Sequence, residues 1–260
     1  MTPALPLTWA VRSDNGLRRT SNEDSHTSRP DLGLFIVADG MGGHVAGEVA
    51  SRVAVESIAA FIEETSGADR NRTWPFPFEP ELSLEANRLK AAFRLANRRI
   101  AAAIADSQDL RGMATTASAI LHGPTHSCVG HIGDSRVYMF RGDTLTQLTN
   151  DHSWVEEQVR AGTLTPAAAR LHPWRNVVTR ALSGGEDPDV DVVEIHPEPG
   201  DRFLLCSDGL FGVVPDERIA DIVGDRTASP EEICGRLIAA ANAAGGPDNI
   251  TAMLLQVDAP

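Results

Sequence analysis

The chain has 260 residues, 42% of them hydrophobic, enough to bury a sizeable core within a single domain. Its 36 Asp and Glu outnumber 23 Lys and Arg, giving a net charge of −13, which excludes a protein built to neutralise nucleic-acid phosphates and suits one that binds cations. Three well-separated cysteines in apolar runs, Cys128, Cys206 and Cys234, read as buried free thiols rather than disulfides or zinc ligands and point to a reducing, cytoplasmic setting, and no run reaches the roughly 18 apolar residues of a membrane span.

In chain order, residues 7–11 read as a short strand, followed by a polar run containing Arg18, Arg19, Glu23 and Asp24 whose composition favours a solvated loop. The apolar run 34–38 has the length of a buried strand and delivers Asp39 at its end, with glycines at 40, 42, 43 and 47. A helix follows over about 45–64, with Ala50, Ala54, Ile58, Phe61 and Ile62 on one face. Pro75, Pro77 and Pro80 make 65–80 a connecting loop, and a second amphipathic helix spans about 84–106.

The period then becomes extended. Runs at 115–121, 127–132, 136–141 and 144–148, broken by Gly-containing turns, read as successive antiparallel hairpin strands. Residues 150–185 carry two short helical patches and a Trp-containing link, the composition of a flap, with His152 expected on the surface. Strands at 190–195 and 202–206, helices at about 215–223 and 230–243, and a strand at 250–257 complete the chain, the second of these helices opened by a capping box, Ser229-Pro230-Glu231-Glu232. This order lacks the regular alternation of a parallel doubly wound sheet. It predicts two stacked antiparallel sheets of seven to nine strands in all, with helices outside.

Asp39, Asp134, Asp208 and Asp248 each stand at a strand end beside Gly, Ser, Pro or Asn. One Asp-Gly turn is ordinary, but four carboxylates converging on one rim would repel unless cations bound them. Oxygen donors without a His or Cys cluster suit Mg²⁺ or Mn²⁺. The loop after Asp39 lacks the Lys of a phosphate-binding loop, and no nucleophile elbow is present. A carboxylate-bound ion pair about 4 Å apart can activate water for hydrolysis, and a guanidinium, Arg18 or Arg19, can grip phosphate oxygens.

Six segments in order resemble the metal-dependent type 2C serine/threonine protein phosphatases in their bacterial single-domain form: Arg19 to Ser25, Ala38 to His44, Gly112 to Thr116, His131 to Arg136, Leu205 to Leu210 and Gly246 to Thr251. The resemblance implies an α+β fold, a central β-sandwich of two antiparallel sheets flanked by helices in four αββα layers, over residues 1–260. It implies two tightly bound Mn²⁺ or Mg²⁺ ions on Asp39, Gly40 (through its carbonyl), Asp208 and Asp248, with Asp39 bridging, and a third ion on Asp134 and Asp208. Arg19 rather than Arg18 matches the phosphate-binding arginine, with Glu23 touching metal through water and Asp24 supporting.

Animal relatives have His after the Asp-Gly pair as a proton donor; here that position is Met41, which leaves His44 as the nearest candidate. Ala114 stands where the family usually has glycine. The implied activity is hydrolysis of phosphoserine and phosphothreonine in proteins through water activated between the metals, opposed by a Ser/Thr kinase. The rival readings are a catalytically impaired relative serving as a phosphoprotein-binding regulatory module and a metal-dependent phosphodiesterase. The intact ligand set favours the monoesterase.

Overall fold

The computed structural model describes residues 5–42, 45–67 and 73–259. In chain order its elements are β1 Leu7–Asp14, β2 Asp24–Arg29, β3 Leu34–Met41, α1 Ala46–Glu64, α2 Leu84–Asp106, β4 Ala114–Thr115, β5 Ala117–His122, β6 Ser127–Ile132, β7 Arg136–Arg141 and β8 Thr144–Gln147, then α3 Trp154–Arg160, α4 Pro166–Arg170, β9 Asp191–Ile195, β10 Arg202–Cys206, α5 Asp208–Phe211, α6 Asp216–Val223, α7 Pro230–Ala243 and β11 Ile250–Val257. One sheet runs β1-β11-β10-β7-β8; the other runs β2-β3-β5-β6-β9, with β4 paired to β3. Every strand pairing is antiparallel.

The alternation of side chains along each strand builds three apolar layers. In β3, Leu34, Ile36 and Ala38 pack under α1 and α2, while Phe35 and Val37 face the other sheet. In β11, Ile250, Ala252 and Leu254 pack under the C-terminal helices, and Met253, Leu255 and Val257 face inward. Strands covered on both faces read as unbroken apolar runs, because their period-two pattern has no polar side to reveal it. Each fully buried Leu, Ile or Phe in these layers contributes roughly 1.5–3 kcal/mol, so the four-layer α+β architecture follows from the sequence pattern.

The expected capping box is present, with the Ser229 side chain accepting from the Glu232 backbone and Glu232 from that of Ser229, and Pro230 in the first turn. Three expectations need correction. The polar run from Ser13 to His26 is not all loop, because its first two residues end β1 and its last three open β2, whose single partner is β3. An edge strand with one exposed flank tolerates the polar sequence DSHTSR. The four runs after residue 114 do not all pair with their neighbours in succession. β5 with β6 and β7 with β8 are pairs, but β6 and β7 belong to different sheets, so Gly133-Asp134-Ser135 crosses the sandwich. The strands number eleven among the described residues rather than seven to nine, the additions being β2 and the two-residue β4.

Segment 150–185 folds against the same end of the sandwich. Isolated bridges join Ser153 to Val178 and Thr115 to Leu182, and Asn97 of α2 ties down the segment's far end, its Oδ1 accepting from Ser183 N and Gly184 N. No helix among the described residues is long and apolar enough to cross a membrane.

Candidate active site and metal centre

Strand alternation aims the first two carboxylates. Phe35 and Val37 point between the sheets, so Asp39, two residues further on, points the same way at the strand's end. Asp24 is its direct partner across the β2–β3 pair. From the opposite sheet, Ser207 and Thr251 reach over, and both hydroxyls donate to Asp24 Oδ2, at 2.7 and 2.6 Å. The Ser207 hydroxyl in turn accepts from Thr251 N at 2.9 Å. Asp24 therefore clamps the two sheets together beside Asp39.

The remaining carboxylates arrive on turns. Asp134 comes from the turn that crosses between sheets, where Gly133 has φ of 105° and an added Cβ would strike the Thr116 side chain. Asp208 opens α5 and Asp248 lies two residues before β11. The Asp39 backbone is fixed from both sides: its N–H donates to Thr116 Oγ1 at 3.0 Å and its carbonyl accepts from Thr116 N at 2.9 Å and Thr115 Oγ1 at 2.8 Å. Gly40 N donates to the Glu23 carbonyl at 3.1 Å. A Cβ on Gly40 would collide with the carbonyl oxygens of Gly47 and Glu23, so only glycine lets α1 and the Glu23 loop close this tightly on the strand.

The charges are arranged against one another. Burial, reinforced by the charges of Asp24 and Asp208, holds the Asp39 carboxyl well above its usual range. Burial and then the Asp248 charge push Asp208 up to about 6, and burial and then Asp208 push Asp134 up to about 8. Asp24 rises to about 7 through burial, despite its two hydroxyl donors. Asp208 Oδ1 and Asp24 Oδ1 are buried without hydrogen-bond partners. Orphaned carboxylate oxygens in a mutually repelling, oxygen-only cluster are what hard divalent cations satisfy.

Arg19 is half-exposed and donates from Nη2 to Asp248 Oδ2 at 2.7 Å; Arg18 makes no side-chain hydrogen bond or ion pair among the described residues. Burial raises the Glu23 carboxyl, with Arg19 opposing, and Glu23 Oε2 lies against Gly47. The structure thus brings together Arg19, Glu23, Asp24, Asp39, Gly40, Asp134, Asp208 and Asp248. His44 falls outside the described residues.

Asn249 and Arg136 carried no assigned role, and His152 was expected on the surface. Asn249 stitches the loop bearing Arg19 to the start of β11, accepting from Glu23 N at 2.9 Å and donating to the carbonyls of Ser21 and Asn15 at 2.8 and 3.2 Å. Its adjacency to Asp248 was the available signal. His152 is buried, not on the surface: Gly133 N donates to its Nδ1 at 3.1 Å, and its Nε2 lies 3.1 Å from Asp191 Oδ2. It pins the root of segment 150–185 to the turn carrying Asp134. Arg136 makes a second pin, reaching both oxygens of Asp151 from Nε and Nη2 at 2.7–3.1 Å and stacking 3.8 Å over the Phe211 ring. Between this segment and α5 lies a cleft of about 420 Å³ that opens onto Asp134 and Asp208 and is lined further by Val155, Ala169, Arg175 and Phe211.

A four-layer αββα sandwich with acidic turns gathered at one end of its two sheets defines the class of metal-dependent protein phosphatases. The chain belongs to the protein phosphatase 2C family, whose model matches residues 17–240. It is 40% identical over 254 residues to the serine/threonine protein phosphatase PstP of Mycobacterium tuberculosis, covering 97% of this chain and 45% of that protein. The chain thus spans about half the length of that relative. It is 35% identical over 251 residues to the serine/threonine phosphatase stp of Listeria welshimeri, covering 94% of each. It superimposes on the crystal structure of the PstP catalytic domain in complex with two manganese ions with a TM-score of 0.82 and 38% identity, covering 97% of this chain and 99% of that one.

Proposed function

We propose that this protein hydrolyses phosphoserine and phosphothreonine in other proteins. The observation that carries the reading is the convergence of Asp39, Asp208 and Asp248 with Arg19 docked on Asp248. Asp39, Asp208, Asp248 and the Gly40 carbonyl would hold two divalent ions, Mn²⁺ or Mg²⁺, as named for the PstP structure in the manganese case. Asp134 with Asp208 would hold a third. When bound, such ions supply a strongly polarised water near neutral pH and offset charge on the phosphoryl oxygens.

The protein's own groups do the rest. Arg19 offers a planar fork to two phosphoryl oxygens and keeps the phosphorus in line for attack. Its present bond to Asp248 holds the guanidinium over the site before substrate arrives. Asp24, fixed by Ser207 and Thr251, sets the depth of the β2 and β3 ends, and Glu23 lines the same wall. Segment 150–185 serves as a flap presenting the protein substrate, and residues 1–260 act as one phosphatase domain. The leaving alkoxide needs a proton; Met41 cannot give one, and His44 is the nearest imidazole in sequence. A Ser/Thr kinase acting on the same substrates in the cytoplasm completes the reading.

The test is phosphate release from a phosphothreonine peptide during a Mn²⁺ titration, with a chelator control, a phosphodiester comparison and the Asp39→Asn variant. Metal-dependent release, preference for the monoester and loss of rate in the variant support the assignment. Full activity in excess EDTA overturns the mechanism. No turnover at any metal concentration, with the phosphopeptide still bound, instead favours a binding module.

A further inference from the structure

The opposite end of the sandwich gathers a second, chemically different set of ligands. His126 sits in the β5–β6 turn, Cys128 lies on β6, and Glu194 on β9 is the direct cross-strand partner of Cys128. One donor atom from each, imidazole, thiol and carboxylate, comes within 4.8 Å of the others. Glu85, in the first turn of α2, brings its Oε2 to 3.6 Å from His126 Nε2. Cys128 is six residues from Asp134 along the β6 direction, which at about 3.3 Å per residue separates the two clusters by about 20 Å.

The supports of these ligands are those of a prepared site. His126 Nδ1 is 2.9 Å from Thr125 Oγ1; with the proton on Nδ1 donated to that hydroxyl, the Nε2 lone pair is free. That Nε2 is buried and has no hydrogen-bond partner. Glu194 Oε1 accepts from the Ser83 backbone at 2.9 Å, which fixes the carboxylate beside the cluster. Metal-binding imidazoles and carboxylates are characteristically held this way by groups behind them.

We propose that His126, Cys128, Glu194 and Glu85 form a site for a borderline-soft divalent ion of the zinc type, distinct from the oxygen-only centre at the catalytic end. A tetrahedral ion with bonds of about 2.0–2.3 Å sets its ligands about 3.3–3.8 Å apart, so the donors close by about 1 Å on binding. Burial pushes the Cys128 thiol up to about 12, so the ion takes its place by displacing the thiol proton to solvent. It would tie the first turn of α2 to the β5–β6 turn and to β9, a clamp on the sheet face remote from catalysis. Cys206 and Cys234 lie buried among apolar neighbours; the proposed site would set Cys128 apart from them as a ligand.

Titration of the whole protein with Co²⁺, its oxygen-ligand sites first saturated with Mn²⁺, tests this. One equivalent should produce the near-ultraviolet thiolate-to-cobalt charge-transfer absorption, which carboxylate ligands cannot give, and Zn²⁺ should abolish it by competition. Cys128→Ser should lack the band. Should that variant fail to fold, His126→Gln and Glu194→Gln, on more exposed side chains, should weaken Co²⁺ binding by well over the roughly tenfold that loss of a supporting group costs. Absence of the band in the wild type, or its persistence at unchanged affinity in His126→Gln and Glu194→Gln, overturns the site and leaves His126 and Glu85 as an ion pair only.

Discussion

Replacing Asp208 by Asn should abolish activity and yet stabilise the metal-free protein. Burial and the Asp248 charge lift the Asp208 carboxyl from the usual 3.8 to about 6. At about 1.4 kcal/mol for each tenfold in proton affinity, ionised Asp208 costs the metal-free fold about 3 kcal/mol at pH 8. The folded state binds the proton more tightly than the unfolded chain does. The cost is therefore full above the folded value, falls to about half at pH 5, and drops below about 1 kcal/mol near pH 4. Asn removes the charge, and its amide can donate to Asp39, the carboxylate that Asp208 already meets. Allowing about 1 kcal/mol for imperfect satisfaction of the amide, the net gain is about 2 kcal/mol. For a domain of this size that raises Tm by roughly 4–8 °C. Buried His131, held down to about 4 chiefly by burial, acts in the opposite sense. Its neutral form stabilises the fold above about pH 6.5, and that contribution is lost on acidification towards 4. Only the difference between variant and wild type therefore isolates Asp208. Thermal melts in chelator at pH 8 and pH 5 measure it. Saturating Mn²⁺ should invert the order, because the wild type then gains about 2.7 kcal/mol at a hundredfold excess over Kd. A metal-free variant less stable than wild type at pH 8, or a difference that does not shrink at pH 5, would refute the charge-repulsion argument.

The other consequences are local. Arg19→Ala should lower kcat/KM about 10²-fold, as removal of one preorganised donor to a developing charge does, while changing unfolding free energy by less than about 1 kcal/mol, since the Asp248 pair is partly exposed; Lys should restore only part of the rate because it offers no fork. Gly40→Ala drives a Cβ into the carbonyls of Gly47 and Glu23 and should cost about 1–3 kcal/mol in urea unfolding, with weaker Mn²⁺ binding by calorimetry. His152→Ala strips partners from Gly133 N and Asp191 and should cost about 2 kcal/mol, with faster proteolytic cleavage within 150–185 as the specific sign that the root of this segment has loosened.

What the sequence made legible divides along physical lines. Strand β3 announced itself because both its faces are buried, and Asp39 stands where its apolar run stops, two residues before the strand's end. The helices were readable from their apolar faces, apart from α5, whose four residues are shorter than any useful period. Strand β2 was hidden because an edge strand with one partner needs no apolar alternation. The crossing at Asp134 was hidden because periodicity identifies strands without saying which sheet each joins. His152 was misread because its partners Gly133 and Asp191 lie 19 and 39 residues away, and a buried polar side chain is recognisable only through such partners. The cluster at Cys128 escaped for the same reason, since cross-strand pairing and the start of α2, not local spacing, bring Glu194 and Glu85 to it.

On the proposed function, a chain of net charge −13 has to accept an anionic substrate. Arg19 is the cation bonded at the cluster, and its Nη2 already donates to Asp248. Without further positive charge, a phosphoryl group would enter a field of five crowded aspartates, Asp24, Asp39, Asp134, Asp208 and Asp248. Two of those carboxylates are held in place: Asp39 by the backbone bonds to Thr115 and Thr116, and Asp24 by hydroxyls from the opposite sheet. The rigidity that makes crowding these carboxylates costly is thus what gives them affinity for cations, because a bound cation would relieve their repulsion. Ion binding would then reverse the sign of the local field and free Arg19 from acting as counter-charge to Asp248. Phosphate affinity and fold stability should therefore rise together with metal concentration, as two readings of one electrostatic change.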